Sequence, residues 1–501
     1  MFCARLATNS LIKEGLLERI MGGHQPFDSS HAEREVQRMN TRPVEVQWSS
    51  PAGVHLSLTL PPTVYPPRED TDLLLSALNQ QLVNPRSTWL EIGCGSGVLS
   101  WWAATQGCIV SACDINPLAV ACTRALFSQH GLNGRIFEGG PGPSVDGGLS
   151  QWGGDRLYDI VVWNMPYLSP DVLAEGALGP MEEAALTDTD ASGLLSRFLG
   201  MLSAGRLLTK NGLAFVTVSS NGVGDAAEAM AWRHGLAGRT VASTTFDDGE
   251  TLHVLAVWKP YSEASVERVE LTSSTNEDVM NRGGMEGATV LAARQTSGRG
   301  RLGRRWETQP GALMASWLTS KGSRVGHHTL DQLRVGEGLV RLVHTLSPGQ
   351  RHAAVLKWPN DLWIRNAEGR LSKAGGVLFE AVTQGADTRT VLGIGLNTTV
   401  HQSSPWSGLG DMGIDLTAEA LHITLHAMVA SLFENVPGLG PSVTPFSRLE
   451  AAVLLGAKQF SSVFYRGQIR SITGLSDEGA LLMEGVEQAV DNPEEIDWSI
   501  V

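Results

Sequence analysis

Cysteine is scarce in this 501-residue chain: Cys3, Cys94, Cys108, Cys113 and Cys122 all fall in the first quarter, and none has the paired C-x-x-C spacing of a zinc site. Reduced, structural thiols are the reading that fits. Long apolar runs are also missing. None reaches the roughly 20 residues that a bilayer span needs, so a membrane role has no support. The N-terminal stretch has neither a clean apolar core nor a small-residue cleavage pattern, which argues against a secretion signal and leaves the cytoplasm as the expected compartment. Basic charge is in deficit, with 38 Lys and Arg against 52 Asp and Glu and a formal net charge of -14. Coating nucleic acid requires neutralising many phosphates, so that role is disfavoured, although local basic patches can still matter. No internal repeat is visible. What remains is ordinary globular composition, 42% hydrophobic and 18% charged. A chain this long exceeds the roughly 250 to 300 residues a single core supports, so two or three domains are expected.

Residues 1–42 show no clear periodicity and form an unassigned lead-in. From Val44 to Leu60, alternating apolar residues around Ser49-Ser50-Pro51-Ala52-Gly53 predict a hairpin. An extended Pro-rich stretch follows, then a helix opening at Glu69-Asp70-Thr71-Asp72, whose early carboxylates suit the helix dipole. Between Thr88 and Lys259, apolar runs at 89–92, 109–112, 160–163, 214–218 and 252–257 alternate with helical stretches, the rhythm of a parallel-rich sheet wrapped by helices. The break at Lys259-Pro260-Tyr261-Ser262-Glu263 marks a boundary before a second pattern of helices and strands. After Gly456, short alternating runs separated by Gly and Asp turns predict a small β-barrel.

The first candidate site opens with Leu90-Glu91-Ile92-Gly93-Cys94-Gly95-Ser96-Gly97, a strand running into a glycine turn that lets a cofactor lie on bare backbone. Alone this is a weak signal, equally an ordinary strand turn. The next strand ends in Asp114, about twenty residues on, where a carboxylate can accept both ribose hydroxyls of an adenosyl group. Asn164-Met165-Pro166-Tyr167 then follows the strand 160–163. An amide nitrogen is a poor nucleophile while its lone pair is delocalised. The Asn164 side-chain oxygen and the Met165 carbonyl can each accept one N–H and aim the lone pair at a sulfonium methyl. Pro166 stiffens the turn, and Tyr167 offers a flat face to a planar acceptor.

With these residues in this order, positions 64–259 resemble the class I S-adenosylmethionine methyltransferases that modify the glutamine of the Gly-Gly-Gln tripeptide in translation release factors, in their eukaryotic and archaeal form. The matching stretches are Val64 to Thr71, Leu90 to Gly97, Asp114-Ile115-Asn116-Pro117, Asn164 to Tyr167 and Gly249-Glu250-Thr251-Leu252. The resemblance implies that Tyr65 and Glu69, Asp70 and Thr71 wall the cofactor, that Glu91, Gly93, Gly95, Gly97, Asp114 and Asn164 bind it, and that Asn164, Met165, Pro166 and Tyr167 hold the acceptor. It also implies a small zinc-containing activator as a possible partner. Two departures stand out. The family tetrapeptide is Asn-Pro-Pro-Tyr, so Met165 replaces one rigid proline while keeping the accepting carbonyl. The family's adenine-contacting acid after the third strand has only Glu138 as its counterpart. The tetrapeptide does not separate a glutamine amide from adenine N6, since both are planar NH2 groups. Overall acidity and the Glu-Asp-Thr stretch lean toward protein.

In the second half, Arg294 to Trp306 packs five arginines among three glycines (Gly298, Gly300, Gly303). A solvated basic loop is the plain alternative. Such glycines nevertheless let the backbone fold around an anion while the guanidinium groups supply forked donors to phosphate. Its companions are Ser273-Ser274-Thr275-Asn276, Lys357-Trp358-Pro359-Asn360-Asp361, Lys373 to Glu380, and Gly393-Ile394-Gly395-Leu396-Asn397. In this order they resemble the biotin-protein ligases over about 265–500. The resemblance implies that Ser274, Thr275, Gln295 and Gly298 line the ureido end of biotin, and that Asn276, Gly300 and Gly375 are also among the residues that bind biotin or ATP. Arg299, Arg301 and Lys373 would face the biotin carboxylate and the α-phosphate and be catalytic. Trp306, Lys357, Asn360 and Asn397 would complete the adenylate pocket. Mg-ATP and biotin would be consumed, and a lysine of a biotin carboxyl carrier domain would receive the product. The loop 297–306 is expected to be mobile until an anion arrives. A lipoate ligase shares the reaction but lacks this loop, and a biotin-sensing repressor needs a DNA-binding helix pair where the methyltransferase motifs stand.

The fold expected is therefore a Rossmann-like methyltransferase domain over 43–260, an α+β ligase catalytic domain over 261–452 and an SH3-like barrel over 453–501. No resident metal site is expected. The alternatives are a nucleic-acid adenine methyltransferase in the first half, or one half reduced to a binding scaffold.

Overall fold

The computed structural model describes residues 42–50, 53–80, 84–141, 149–153, 156–167, 193–300, 304, 306–307, 309–322, 328–350, 353–366, 368–384, 387–400 and 404–500. The lead-in, Cys3, the hairpin tip at Pro51 and Ala52, and the loop residues Arg301 to Gly303 and Arg305 lie outside the described residues. The chain divides into two compact units, Met1–Lys259 with Val436–Gly440, and Pro260–Asn435 with Pro441–Val501.

In the first unit, period-two burial makes the opening hairpin. Strand β1 (Val44–Ser49) pairs antiparallel with β2 (His55–Leu60), and Leu56, Leu58 and Leu60 face inward while the residues between them face out. The main sheet is made of β3 (Thr88–Ile92), β4 (Ile109–Asp114), β5 (Gly134–Glu138), β6 (Tyr158–Trp163), β7 (Leu208–Ser219), β8 (Ala237–Thr245) and β9 (Thr251–Trp258). Their spatial order is β5-β4-β3-β6-β7-β9-β8, parallel as far as β7 and antiparallel at β9 and β8. Helices α1 (Glu69–Gln80), α2 (Val98–Thr105), α3 (Pro117–Gln129), α4 (Leu194–Ser203) and α5 (Ala227–Arg233) accompany it. Helix α3 starts where Asn116 accepts the Leu118 N–H and Pro117 presets the first turn. Fully buried Trp89, Tyr158, Phe198, Phe215 and Trp232 fill the core. Strand order reverses between β3 and β6, and in open parallel sheets ligands bind in the crevice beyond the carboxyl ends at such a point.

The second unit is built on β10 (Val266–Thr272), β11 (Thr289–Gln295), β12 (Leu313–Gly322), β13 (Ala354–Lys357), β14 (Asp361–Arg365), β15 (Leu371–Gln384) and β16 (Asp387–Leu396), in the order β10-β11-β12-β16-β15-β14-β13. Only β10 and β11 run parallel, so helices and antiparallel strands are segregated rather than alternating. The helices are α6 (Thr275–Arg282), α7 (His328–Leu346), α8 (Ala418–Phe433) and α9 (Phe446–Ala457). The last residues, expected as a barrel, form antiparallel sheets of three strands, β17 (Ser462–Tyr465), β18 (Gln468–Ile469) and β21 (Ile496–Ser499), and of two, β19 (Ile472–Leu475) and β20 (Leu481–Met483). They share a core with the large sheet. Val463, Leu475, Leu481 and Ile496 pack with Leu333, Leu356 and Trp358, and the Trp358 indole donates to the Gly479 carbonyl at 2.9 Å.

Among the described residues no helix is long and apolar enough to cross a membrane. Cys94, Cys108 and Cys113 are buried and Cys122 is half-buried, all four as free thiols. Burial pushes each thiol up, Cys108 to about 11, so none is a thiolate nucleophile at neutral pH.

Candidate functional sites

At the end of β3 the chain turns through Gly93, Gly95 and Gly97 at φ +67°, +49° and +82°. A Cβ at Gly97 would meet the Thr123 hydroxyl at 2.7 Å, so α2 can approach α3 only because this residue is bare. Two carboxylates flank the turn. Asp114, at the end of β4, accepts the Gly95 N–H and the Asn116 N–H, both at 2.8 Å. Burial pushes its carboxyl up to about 6 against the pull of those N–H groups. Glu91 is buried within β3, takes a short hydrogen bond from the Ser100 hydroxyl, and is pushed by burial up to about 8. Burial thus raises both carboxyls beside the turn, Glu91 further than Asp114.

Ile92 pairs with Trp163, so Gly93 and Asn164 leave the carboxyl ends of neighbouring parallel strands. The side-chain oxygen of Asn164 is buried and has no hydrogen-bond partner, an acceptor without a donor. Met165 and Pro166 are buried and Tyr167 is half-buried. Tyr65 has its carbonyl beside the Gly95 turn, and its hydroxyl donates to Asp70 at 3.0 Å. The negative charge of Asp70 also bears on the Tyr167 phenol, and burial with that charge pushes both phenols up. Thr71 is buried on α1, its N–H donating to Asp70 at 2.6 Å, whereas Glu69 faces solvent. Glu138 is exposed, paired in register with Asp114 at the sheet edge. Sequence reasoning placed Asp70 in the cofactor wall but passed over Ser219, whose hydroxyl donates to Glu250 at 2.5 Å while the Glu250 charge bears on Tyr167.

In the second unit, residues of β11 to β16 together with Arg299, Gly300 and Arg304 line a cavity of about 550 Å³. Ser274, Thr275, Asn276 and Gln295 line one side of it. The Gln295 carbonyl accepts from the Thr275 N–H at 2.8 Å, the Ser316 hydroxyl donates to Asn276 at 2.6 Å, and the Asn276 amide donates to Glu380 at 2.7 Å. Arg299, Gly300, Trp306, Lys357, Asn360 and Lys373 line the rest. Trp306 lies on bare backbone: a Cβ on Gly395 would be 2.7 Å from its ring, and one on Gly376 3.2 Å. The Lys373 ammonium stands 5.3 Å from the Trp306 ring centre and 2.7 Å from Asp361. Arg299 reaches Glu277 at 3.5 Å and Glu380 at 3.7 Å.

Three expected residues stand behind the wall rather than on it. Gly375 is packed where a Cβ would strike Leu396 at 2.1 Å. Gly298 supports the loop through its carbonyl, which accepts the Trp306 N–H at 2.9 Å. Asn397 is buried with its amide donating to the Ser407 carbonyl at 3.0 Å, while its side-chain oxygen has no partner. Arg301 lies outside the described residues. Not foreseen at all were Glu494, Asp497 and Trp498, which reach the cavity from the C-terminal sheet. Among the described residues no group of three or more metal-ligating side chains gathers.

Comparison with known proteins finds one family match in each unit. The biotin/lipoate A/B protein ligase family matches residues 265–397, and the methyltransferase small domain matches residues 68–185. The bifunctional ligase/repressor BirA of Escherichia coli is 26% identical over 241 residues, 44% of this chain and 69% of that protein. The ribosomal RNA small subunit methyltransferase C of Chromohalobacter salexigens is 30% identical over 127 residues, 25% of this chain, which spans only 35% of that relative. A biotin protein ligase from Aquifex aeolicus, solved with biotin and ATP, is 23% identical and covers 47% of this chain and 96% of its own, with a TM-score of 0.32. Both matched families are families of enzymes.

Proposed function

We propose, for a chain that joins a methyltransferase domain to a biotin-ligase domain, that both sites turn over: the first methylates a planar amide nitrogen, and the second joins biotin to a carrier lysine. The domain limits that go with this reading are 43–260, 261–452 and 453–501, the last read as an SH3-like barrel.

The unpartnered, buried Asn164 oxygen carries the first half. A buried acceptor left without a donor costs about 1 to 3 kcal/mol, which an incoming N–H recovers. The glycine turn with Glu91 and Asp114 fits S-adenosylmethionine, because both carboxyls are raised by burial and gain from a nearby cation or hydroxyl donor. The bound cofactor supplies an electrophilic methyl on a sulfonium. Asn164 and the Met165 carbonyl would take the two N–H groups, and Tyr167 would hold the plane. The acceptor nitrogen gains the methyl and releases one proton.

Carboxylates around the acceptor favour protein over nucleic acid. Asp70 and Glu250 bear on Tyr167, and Asp247 and Asp248 are exposed on the turn between β8 and β9. A polyanion would be repelled there. The glutamine of a translation release factor is accordingly the substrate proposed, in the cytoplasm, with a small zinc-containing activator as a possible partner. The likeness to a ribosomal RNA methyltransferase supports the second reading, transfer to a nucleic-acid amine such as adenine N6. Labelled methyl offered in parallel to a release factor and to RNA separates them. Label in RNA alone would overturn the first reading.

In the ligase half, a biotin carboxylate oxygen would attack the α-phosphorus of ATP, the bond to the bridging oxygen would break, and pyrophosphate would leave. Lys357, Lys373 and Arg299 bring positive charge to a cavity where two anions must meet, and Mg2+ arriving with the nucleotide adds to it. Ser274, Thr275, Asn276 and Gln295 offer the donors and acceptors that a ureido ring matches. A lysine amine of a biotin carboxyl carrier domain then attacks the anhydride carbonyl, AMP leaves and a proton is lost. Exchange of labelled pyrophosphate into ATP that depends on biotin tests the first step. Exchange that responds to lipoate instead would overturn the choice of acid.

A further inference from the structure

Among the described residues four cations line the ligase cavity, and three of them are engaged by carboxylates: Arg299 by Glu277 and Glu380, Arg304 by Glu494 at 3.0 Å, and Lys373 by Asp361. Lys357 is held differently. Among the described residues no carboxylate makes an ion pair with it. Its ammonium lies 5.0 Å from the ring centre of Trp363 and 5.7 Å from that of Trp498. Trp363 belongs to β14, in the large sheet, and Trp498 to β21, at the C-terminal end. Trp498 is fixed in turn by pairing with Val463 and by an edge contact with Phe460 at 4.9 Å.

The difference matters for binding an anion. A phosphate approaching Lys373 or Arg304 meets a cation whose charge a carboxylate already offsets, whereas the face of an indole attracts a cation without neutralising it. Burial pushes the Lys357 ammonium down from its ordinary value, and Lys373 and Arg304 add to that against Asp361 and Asp497, so the charge gains from an incoming anion. Resting on the ligase reading above, we propose that Trp498 is a positioning residue that holds Lys357 charged and free of carboxylate for the phosphates of ATP. The C-terminal strand thereby forms part of the nucleotide site.

The test uses the full chain and measures biotinyl-adenylate formation in wild type, Trp498→Leu and Trp498→Phe, with KM for ATP and for biotin determined separately. A cation–π contact of about 1 to 2 kcal/mol corresponds to roughly a five- to thirtyfold rise in KM for ATP in Trp498→Leu. KM for biotin should stay within about twofold, and Trp498→Phe, with a weaker ring, should fall between the two. Loss of packing alone would instead raise both KM values together or lower kcat alone. That pattern, or an ATP KM unchanged in Trp498→Leu, overturns the proposal. If the leucine variant does not fold, Trp498→Phe decides by the same split, since an unchanged ATP KM there counts equally against it. Wild type that makes no adenylate would sink the ligase reading itself, whereas an active wild type with an indifferent Trp498→Leu sinks only this inference.

Discussion

Single residues carry each site in ways that chain geometry makes explicit. Asn164 is half-buried beside the glycine turn with its side-chain oxygen buried and unsatisfied, so it spends folding stability on an acceptor that a ligand can use. Asn164→Ala should lower methyl transfer by about a hundred- to a thousandfold, the scale of losing one oriented polar group at a reacting centre, while cofactor affinity changes far less. Initial rates with isothermal titration of the cofactor check both parts. Gly97 makes a different demand. Its φ of +82° and the 2.7 Å approach of a would-be Cβ to Thr123 leave no room for a side chain. Gly97→Ala should cost about 1 to 3 kcal/mol of stability and loosen cofactor binding, read as a lower midpoint of the thermal transition that S-adenosylmethionine shifts.

At the scale of elements, α8 places His422 and His426 one turn apart against Trp317. His422 stacks on that indole at 5.7 Å and 11° with neither ring nitrogen partnered, and His426 accepts the indole N–H at 3.0 Å. Burial pushes both imidazoles down from 6.5 to about 4, with the other histidine adding to this at His426. The groups that face the pair are Glu419 and Arg268, themselves ion-paired, and the Tyr261 ring. Because the unfolded chain takes up protons first, this contribution is intact above about pH 6.5 and is lost as pH falls toward 4. The thermal transition that biotin shifts should fall across that window, and less steeply in His422→Phe, which keeps the stack. An unchanged slope would show that the pair does not govern acid stability.

Elements also show where the sequence was legible. Buried strands such as 160–163 announce themselves by uninterrupted apolar residues, and the motif at each strand end could be placed from that alone. The cavity residues Ser274, Gln295, Lys357 and Lys373 were readable because their companions repeat one order along the chain. Asp70 could be read only as one of a stretch, Glu69 to Thr71, since nothing local says that the Tyr65 phenol turns back onto it. Glu494 and Trp498 were invisible for a stronger reason. They reach the ligase cavity through the shared core of Trp358, Val463 and Ile496, and packing between distant segments leaves no periodic signal. Asn397 and Gly375 show the converse, motif residues that support the wall from behind.

For the whole molecule, the two sites draw on disjoint sets of strands and helices. Asn164→Ala should therefore leave biotin transfer at its wild-type rate, and Lys373→Ala should leave methyl transfer untouched. The most direct measurement is the intact mass of a release factor and a biotin carboxyl carrier domain, each incubated with wild type, Asn164→Ala or Lys373→Ala plus S-adenosylmethionine, ATP and biotin. The account predicts one added methyl on the release factor and one added biotinyl group on the carrier, with each variant losing only its own product. Unmodified substrates with active wild-type protein, or one substitution abolishing both products, would contradict it.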